Sequence, residues 1–104
     1  MNLSIVIVSF KSSHLIEKHI EQIDKKNQII IIENSLDFEV KKKLEKAHEN
    51  VEVIIPEKNL GYGTAINVGI EKSINNFVFC MVADLNISKD CFYAISNINK
   101  QTQY

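Results

Sequence analysis

The chain alternates between two hydrophobic periods, and that alternation limits its fold more than any other feature. Four short apolar runs, Leu3–Ser9, Gln28–Glu33, Val51–Pro56 and Phe77–Val82, recur at near-even intervals across the 104 residues. Each is rich in Ile, Val or Phe and has the length of a strand. Most are apolar at consecutive positions, as in Ile29-Ile30-Ile31-Ile32. Such strands are covered on both faces, which points to a parallel sheet. Val51-Glu52-Val53 is more mixed and suits an edge. Between the runs the period lengthens to about 3.6. Ile16, Ile20 and Ile23 make one helical stripe, with Ser12 or Ser13 as N-cap. Val40, Leu44 and Ala47 make a second, capped by Ser35 or Asp37. Ala65, Ile66, Gly69, Ile70 and Ile74 make a third that stops at Asn75-Asn76. Cys91, Phe92, Ile95 and Ile98 predict a fourth helix after Ser88. The order β-α-β-α-β-α-β-α, with right-handed crossovers, specifies an α/β fold. It reads as a Rossmann-like, three-layer α/β/α arrangement around a mainly parallel four-stranded sheet. No linker or low-complexity segment interrupts it, so residues 1–104 read as a single domain.

Composition removes several functional classes. A chain that is 45% hydrophobic and 24% charged is not a disordered tail. With 12 basic residues against 13 acidic ones, the net charge of −1 gives nucleic acid no dominant attraction. All the basic residues are Lys, in a chain rich in Ile and Asn, the bias an AT-rich genome imposes. No guanidinium fork is therefore available to clamp a phosphate bidentately. No segment reaches the roughly 18 consecutive apolar residues of a membrane span. The start, Met1-Asn2-Leu3-Ser4, lacks the basic region of a signal peptide. The expectation is a cytoplasmic protein whose Cys80 and Cys91 are reduced, buried thiols. His14, His19 and His48 match no metal-ligand spacing and read as helix surface, as does Lys41–Lys43.

In an open α/β sheet, ligands bind beyond the carboxyl ends of the strands, where the strand order reverses. The residues just after each apolar run are therefore the informative ones. No G-x-G-x-x-G follows the first run and no Walker A sequence occurs, which disfavours two common nucleotide-binding designs. A receiver-type acidic cluster is missing as well. Glu33 ends an apolar strand, where a carboxylate can accept hydrogen bonds from a base or a ribose, or simply turn the chain. Asp84 ends another, where it can hold a divalent cation or cap a turn. The segment Asn59-Leu60-Gly61-Tyr62-Gly63-Thr64-Ala65-Ile66-Asn67-Val68-Gly69 is the sharpest signal. Gly61 and Gly63 permit positive φ at a helix start, where free N–H groups favour anions. Ala65 and Gly69 leave one helix face small enough to lie close to the sheet or a ligand. Asn67 is a polar residue of poor helix propensity that packing does not explain.

Taken in order, these segments resemble the first half of a family 2 glycosyltransferase of the GT-A fold. Ser9-Phe10-Lys11 resembles the T-Y-N-like turn after the first strand, and Glu33-Asn34-Ser35 the D-N-x-S-like turn after the second. Asn59 to Ile70 matches an N-x-G-[FY]-[GA]-x-A-x-N-x-G-I segment through Asn59, Gly61, Tyr62, Gly63, Ala65, Asn67, Gly69 and Ile70. Val82-Ala83-Asp84 stands at the D-x-D-like metal motif, which is often N-P-D in rhamnosyltransferase-like members. The resemblance implies that Ser9, Phe10, Glu33 and Asn34 line a nucleobase and ribose pocket. It also implies that Gly61, Tyr62, Gly63 and Asn67 flank the diphosphate of a nucleotide-diphospho-sugar of UDP or dTDP type, and that Asp84 holds Mg²⁺ or Mn²⁺. The implied reaction is inverting glycosyl transfer, with the metal offsetting charge on the leaving diphosphate and a separate carboxylate deprotonating the acceptor. The departures are Lys11 for Asn, Glu33 for Asp, and Val82 at the first metal position. No counterpart of the acceptor-side base follows Asp84. The half-fold would leave apolar surface uncovered, so a homo-oligomer is expected. A non-catalytic remnant serving as an interaction or oligomerisation module is the alternative. A nucleotidyltransferase would need a Gly-rich basic signature at Ser9–His14, which the sequence lacks.

Overall fold

The two periods resolve into a parallel sheet with helices on both faces. The computed structural model describes residues 2–83 and the backbone of residues 93–95. Its elements are β1 (Ser4–Ser9), α1 (Ser13–Glu21), β2 (Gln28–Glu33), α2 (Phe38–Ala47), β3 (Val51–Ile54), α3 (Gly61–Lys72), β4 (Val78–Val82) and β5 (Tyr93–Ile95). The sheet order is β3-β2-β1-β4-β5. β1 pairs in parallel with both β2 and β4, and β2 with β3.

The continuous apolar runs are buried on two sides, as their composition requires. Ile5, Ile7, Ile29, Ile31, Val53 and Met81 face α1 and α2, where they meet Ile16, Ile20, Val40 and Leu44. The alternate residues Val6, Val8, Ile30, Ile32, Val78 and Cys80 face α3 and meet Ala65, Ile66 and Ile70. Adjacent residues of one strand thus serve separate cores, as period-two geometry demands. The chain places α1 and α2 on one face while building β1, β2 and β3 outward. It then returns past β1 through α3 on the other face, so the order reverses between β1 and β4. The mixed run is the edge, as expected: Val51 and Val53 are buried and Glu52 is exposed.

Three expectations are corrected. The helix expected over Cys91, Phe92, Ile95 and Ile98 is replaced at Tyr93–Ile95 by β5, which pairs antiparallel with β4. An aromatic and β-branched run has strand propensity, and β4 offers an open edge whose backbone groups need partners. The rest of that segment, with its expected cap Ser88, lies outside the described residues. Second, Ala47 and Ile74 do not join their stripes. Ala47 is exposed at the end of α2, and Ile74 is 77% exposed beyond the end of α3. Third, His19 is not helix surface. It is buried, and its Nε2 donates to the Ala83 carbonyl, tying α1 to the end of β4. His14 is exposed, and His48 pairs with Glu17 at 2.9 Å.

Cys80 is a buried free thiol, and burial pushes its pKa up to about 11, which makes it inert at neutral pH. Cys91 lies outside the described residues. The small face of α3 is turned to the sheet: a Cβ on Gly69 would penetrate the side chain of fully buried Val6. Gly69→Ala should therefore destabilise the fold by roughly 1–3 kcal/mol through overpacking. Chemical denaturation would read this as a lower midpoint with an unchanged slope.

Candidate functional site

The carboxyl ends of β1 and β2 lie side by side, with Ser9 opposite Glu33 in the ladder and the Asn34 N–H bonded to the Ser9 carbonyl at 2.7 Å. Two loops leave these ends, and each contains a left-handed residue that is not glycine: Lys11 at φ 53° and Leu36 at φ 61°. Such backbone is costly for an L-residue and persists only where the surroundings hold it. Here a hydrogen-bond chain does so. The Lys11 N–H donates to Ser35 Oγ at 3.1 Å, and Ser35 Oγ is 2.8 and 2.7 Å from the two carboxylate oxygens of Glu33. Glu33 Oε2 also accepts the Asp37 N–H at 2.9 Å. Asp37 in turn caps α2 by accepting from the Glu39 and Val40 N–H groups.

Glu33 is 1% exposed. Its carboxylate takes part in building the turn into α2. Asn34 is also buried and acts as a clasp. Its Oδ1 accepts the Leu60 N–H at 3.1 Å, and its Nδ2 donates to the Gly61 carbonyl at 3.2 Å. One side chain at the end of β2 thereby fixes the entry to α3. The Asn59 side chain holds the next donor, the Gly61 N–H, at 2.9 Å. The start of α3 is thus bound by two asparagines, and Gly61 adopts φ +74°. Gly63 does not share that conformation. It lies within the helix with open space around its Cα, so neither backbone nor packing requires a glycine there.

The remaining residues take distinct places. Ser9 is fully buried, and its Oγ has no hydrogen-bond partner among the described residues. Phe10 is 50% and Tyr62 46% exposed, and the Lys11 ammonium stands 5.4 Å from the Phe10 ring centroid. Asn67 is part-buried in α3. Asp84 lies outside the described residues. Its neighbour Ala83 is held at both ends, its N–H by the Val8 carbonyl at 2.9 Å and its carbonyl by His19.

An open cleft of about 340 Å³ lies over the tips of β1 and β2, lined by Lys11, Ser13, Glu33, Ser35, Asp37 and Val40. The structure brings Ser9, Glu33, Asn34 and Gly61 into one bonded cluster beside it. Among the described residues, only Glu33 of the expected site residues lines the cleft itself. Ser13, Ser35 and Asp37 are legible in the sequence only as cap or motif residues. Ser35 gains its place because its hydroxyl bridges the two loops, which spacing along the chain does not reveal. Among the described residues no cluster of three His, Cys, Asp or Glu side chains could hold a metal ion. Asp84, the expected cation ligand, lies outside those residues.

The match to the model of glycosyl transferase family 2 covers residues 4–101. The chain belongs to that family. It is 27% identical over 107 residues to the low-salt glycan biosynthesis hexosyltransferase Agl10 of Haloferax volcanii, a match covering 99% of this chain and 34% of the relative. Among solved structures it resembles S. aureus TarS 1-349, with TM-score 0.66 and 19% identity over 81% of this chain and 28% of that one. It also resembles the mannosyltransferase PcManGT from Pyrobaculum calidifontis, solved in complex with GDP-Man and Mn²⁺, with TM-score 0.68 and 13% identity over 79% of this chain and 27% of that one. These likenesses establish the GT-A-type fold. The chain spans about a third of the length of the curated relative it matches. No helix among the described residues is long and apolar enough to cross a membrane.

Two substitutions test the cluster. Asn34→Ala strands the Leu60 N–H and should cost roughly 1–3 kcal/mol, with faster amide hydrogen exchange at Leu60 and Gly61. Lys11→Asn places a residue tolerant of left-handed backbone at φ 53° and should stabilise by roughly 0.5–1 kcal/mol, read as a higher thermal midpoint.

Proposed function

We propose that this chain is the donor-binding part of an inverting glycosyltransferase and takes a nucleotide-diphospho-sugar of UDP or dTDP type. Family membership supports the reading. The observation that carries it is the bonded cluster at the strand tips, where Ser9, Glu33, Asn34 and Gly61 tie β1, β2 and α3 together at the sheet's carboxyl end, with Glu33 lining the cleft there. That is where an open α/β sheet receives a nucleotide. In this reading Glu33 and Asn34 shape the pocket, and they do so through backbone they hold in place. Ser35 and Asp37 add polar atoms to the cleft. Phe10, in the loop after β1, and Tyr62, at the start of α3, provide exposed aromatic surface. Ser9 is assigned to the nucleotide pocket from the end of β1, and Gly63 and Asn67 to the helix that flanks the diphosphate.

Asp84 is assigned to the cation, Mg²⁺ or Mn²⁺, and Val82-Ala83-Asp84 to the metal motif of rhamnosyltransferase-like members. PcManGT, with its Mn²⁺ and GDP-Man, supports a metal in this fold and makes GDP the third nucleotide to compare. When bound, the cation would offset negative charge on the departing diphosphate. The acceptor site and the base that deprotonates the acceptor are assigned to sequence outside this chain.

Calorimetric titration of the folded protein with UDP, dTDP and GDP, with and without Mn²⁺ or Mg²⁺, tests the proposal. Weak binding, on the order of millimolar, is expected for the uridine or thymidine nucleotide. Absence of heat with all three would overturn it. Asp84→Ala should remove the metal-dependent part of the affinity. Nucleotide binding that ignores both metal and this substitution would instead favour the interaction-module reading.

A further inference from the structure

β3 is the outer strand of the sheet among the described residues, paired on one side only. In its ladder the Ile29 N–H bonds to the Asn50 carbonyl. Alternate residues of β3 therefore face β2, and Val51 and Val53 turn their backbone groups outward. An outward row of N–H and C=O groups is a template on which another chain can add a strand.

Here that template is occupied. Glu45 Oε2 accepts the Val53 N–H at 2.8 Å, and Lys41 Nζ donates to the Val53 carbonyl at 2.6 Å. The same two side chains, one helical turn apart on α2, pair with each other at 2.9 Å. The Val51 N–H is taken by the His48 carbonyl at 3.3 Å, where α2 gives way to the strand. Burial pulls the Glu45 pKa up, but the hydrogen bonds from Lys41 and the Val53 N–H, together with the Lys41 charge, hold it below the usual carboxylate range.

An exposed ion pair on a helix adds little stability, commonly a few tenths of a kcal/mol. What distinguishes Lys41 and Glu45 is that both also bind a strand backbone on the side away from its neighbour. Pairing with each other does not require that.

We propose that Lys41 and Glu45 form an edge guard: together they fill both outward hydrogen-bonding groups of Val53, so that β3 cannot add a strand from a second copy of this chain. Any self-association of the chain is thereby steered away from this edge.

The test compares Lys41→Ala/Glu45→Ala with a matched control, Glu39→Ala/Lys43→Ala. The control removes the same two charges at the same spacing from exposed positions of α2. Each is measured by light scattering over a concentration series, with circular dichroism to confirm folding. The guard variant should show about a twofold rise in apparent mass over a range in which the wild type and the control do not change. Its Val53 amide should become protected from hydrogen exchange as the mass rises. A folded guard variant with the wild-type mass curve overturns the proposal, and so does equal association of guard variant and control. Should the double variant not fold, Lys41→Met and Glu45→Gln singly, which keep the length of each side chain, are compared with the wild type in the same way. A mass rise in either supports the guard, and unchanged mass in both overturns it.

Discussion

The molecule is organised around a strand that has no exposed residue. Every position of β1 is buried, it is hydrogen-bonded on both sides, and it sends alternate side chains into two separate cores. Hydrophobic burial fixes which faces of β2 and β4 meet it, because a one-residue slip would exchange the two cores. With register fixed, the ends of β1, β2 and β4 finish level with one another. The cleft and its bonded cluster follow from that alignment.

Much of this is legible from period alone. Both-face burial of Ile29–Ile32, the edge character of Val51–Val53 and the small face of α3 at Ala65 and Gly69 are direct consequences of residue type and spacing. What escapes is hydrogen bonding across distance. Nothing in the order of residues tells that Asn34 reaches to Leu60, that Ser35 bridges to Lys11, or that Lys41 and Glu45 bind Val53. His19 escapes for the same reason. A histidine among Glu and Lys looks solvated, yet a polar side chain can be buried when a carbonyl from another element waits for its proton. Tyr93–Ile95 misleads because helix periodicity and strand propensity overlap over so few residues, and the open side of β4 decides between them.

The candidate site shows a division of labour common to carboxylates at strand ends. A carboxylate has about four acceptor positions, and Glu33 uses part of them on the turn into α2. Its oxygens meet Ser35 and the Asp37 N–H, and the loop they order adds Ser35 and Asp37 to Glu33 in the lining of the cleft. The left-handed backbone at Lys11 and Leu36 has a similar logic, since strained residues beside a ligand site stay put only where such bonds hold them.

The antiparallel course of β5 has a consequence for how the chain is tethered. Ile95 stands opposite Val78, at the amino-terminal end of β4, whereas the cleft lies at the other pole of the sheet. Among the described residues β5 pairs only with Val78, Phe79 and Cys80, so Met81 and Val82, toward the carboxyl pole, are held by β1 alone.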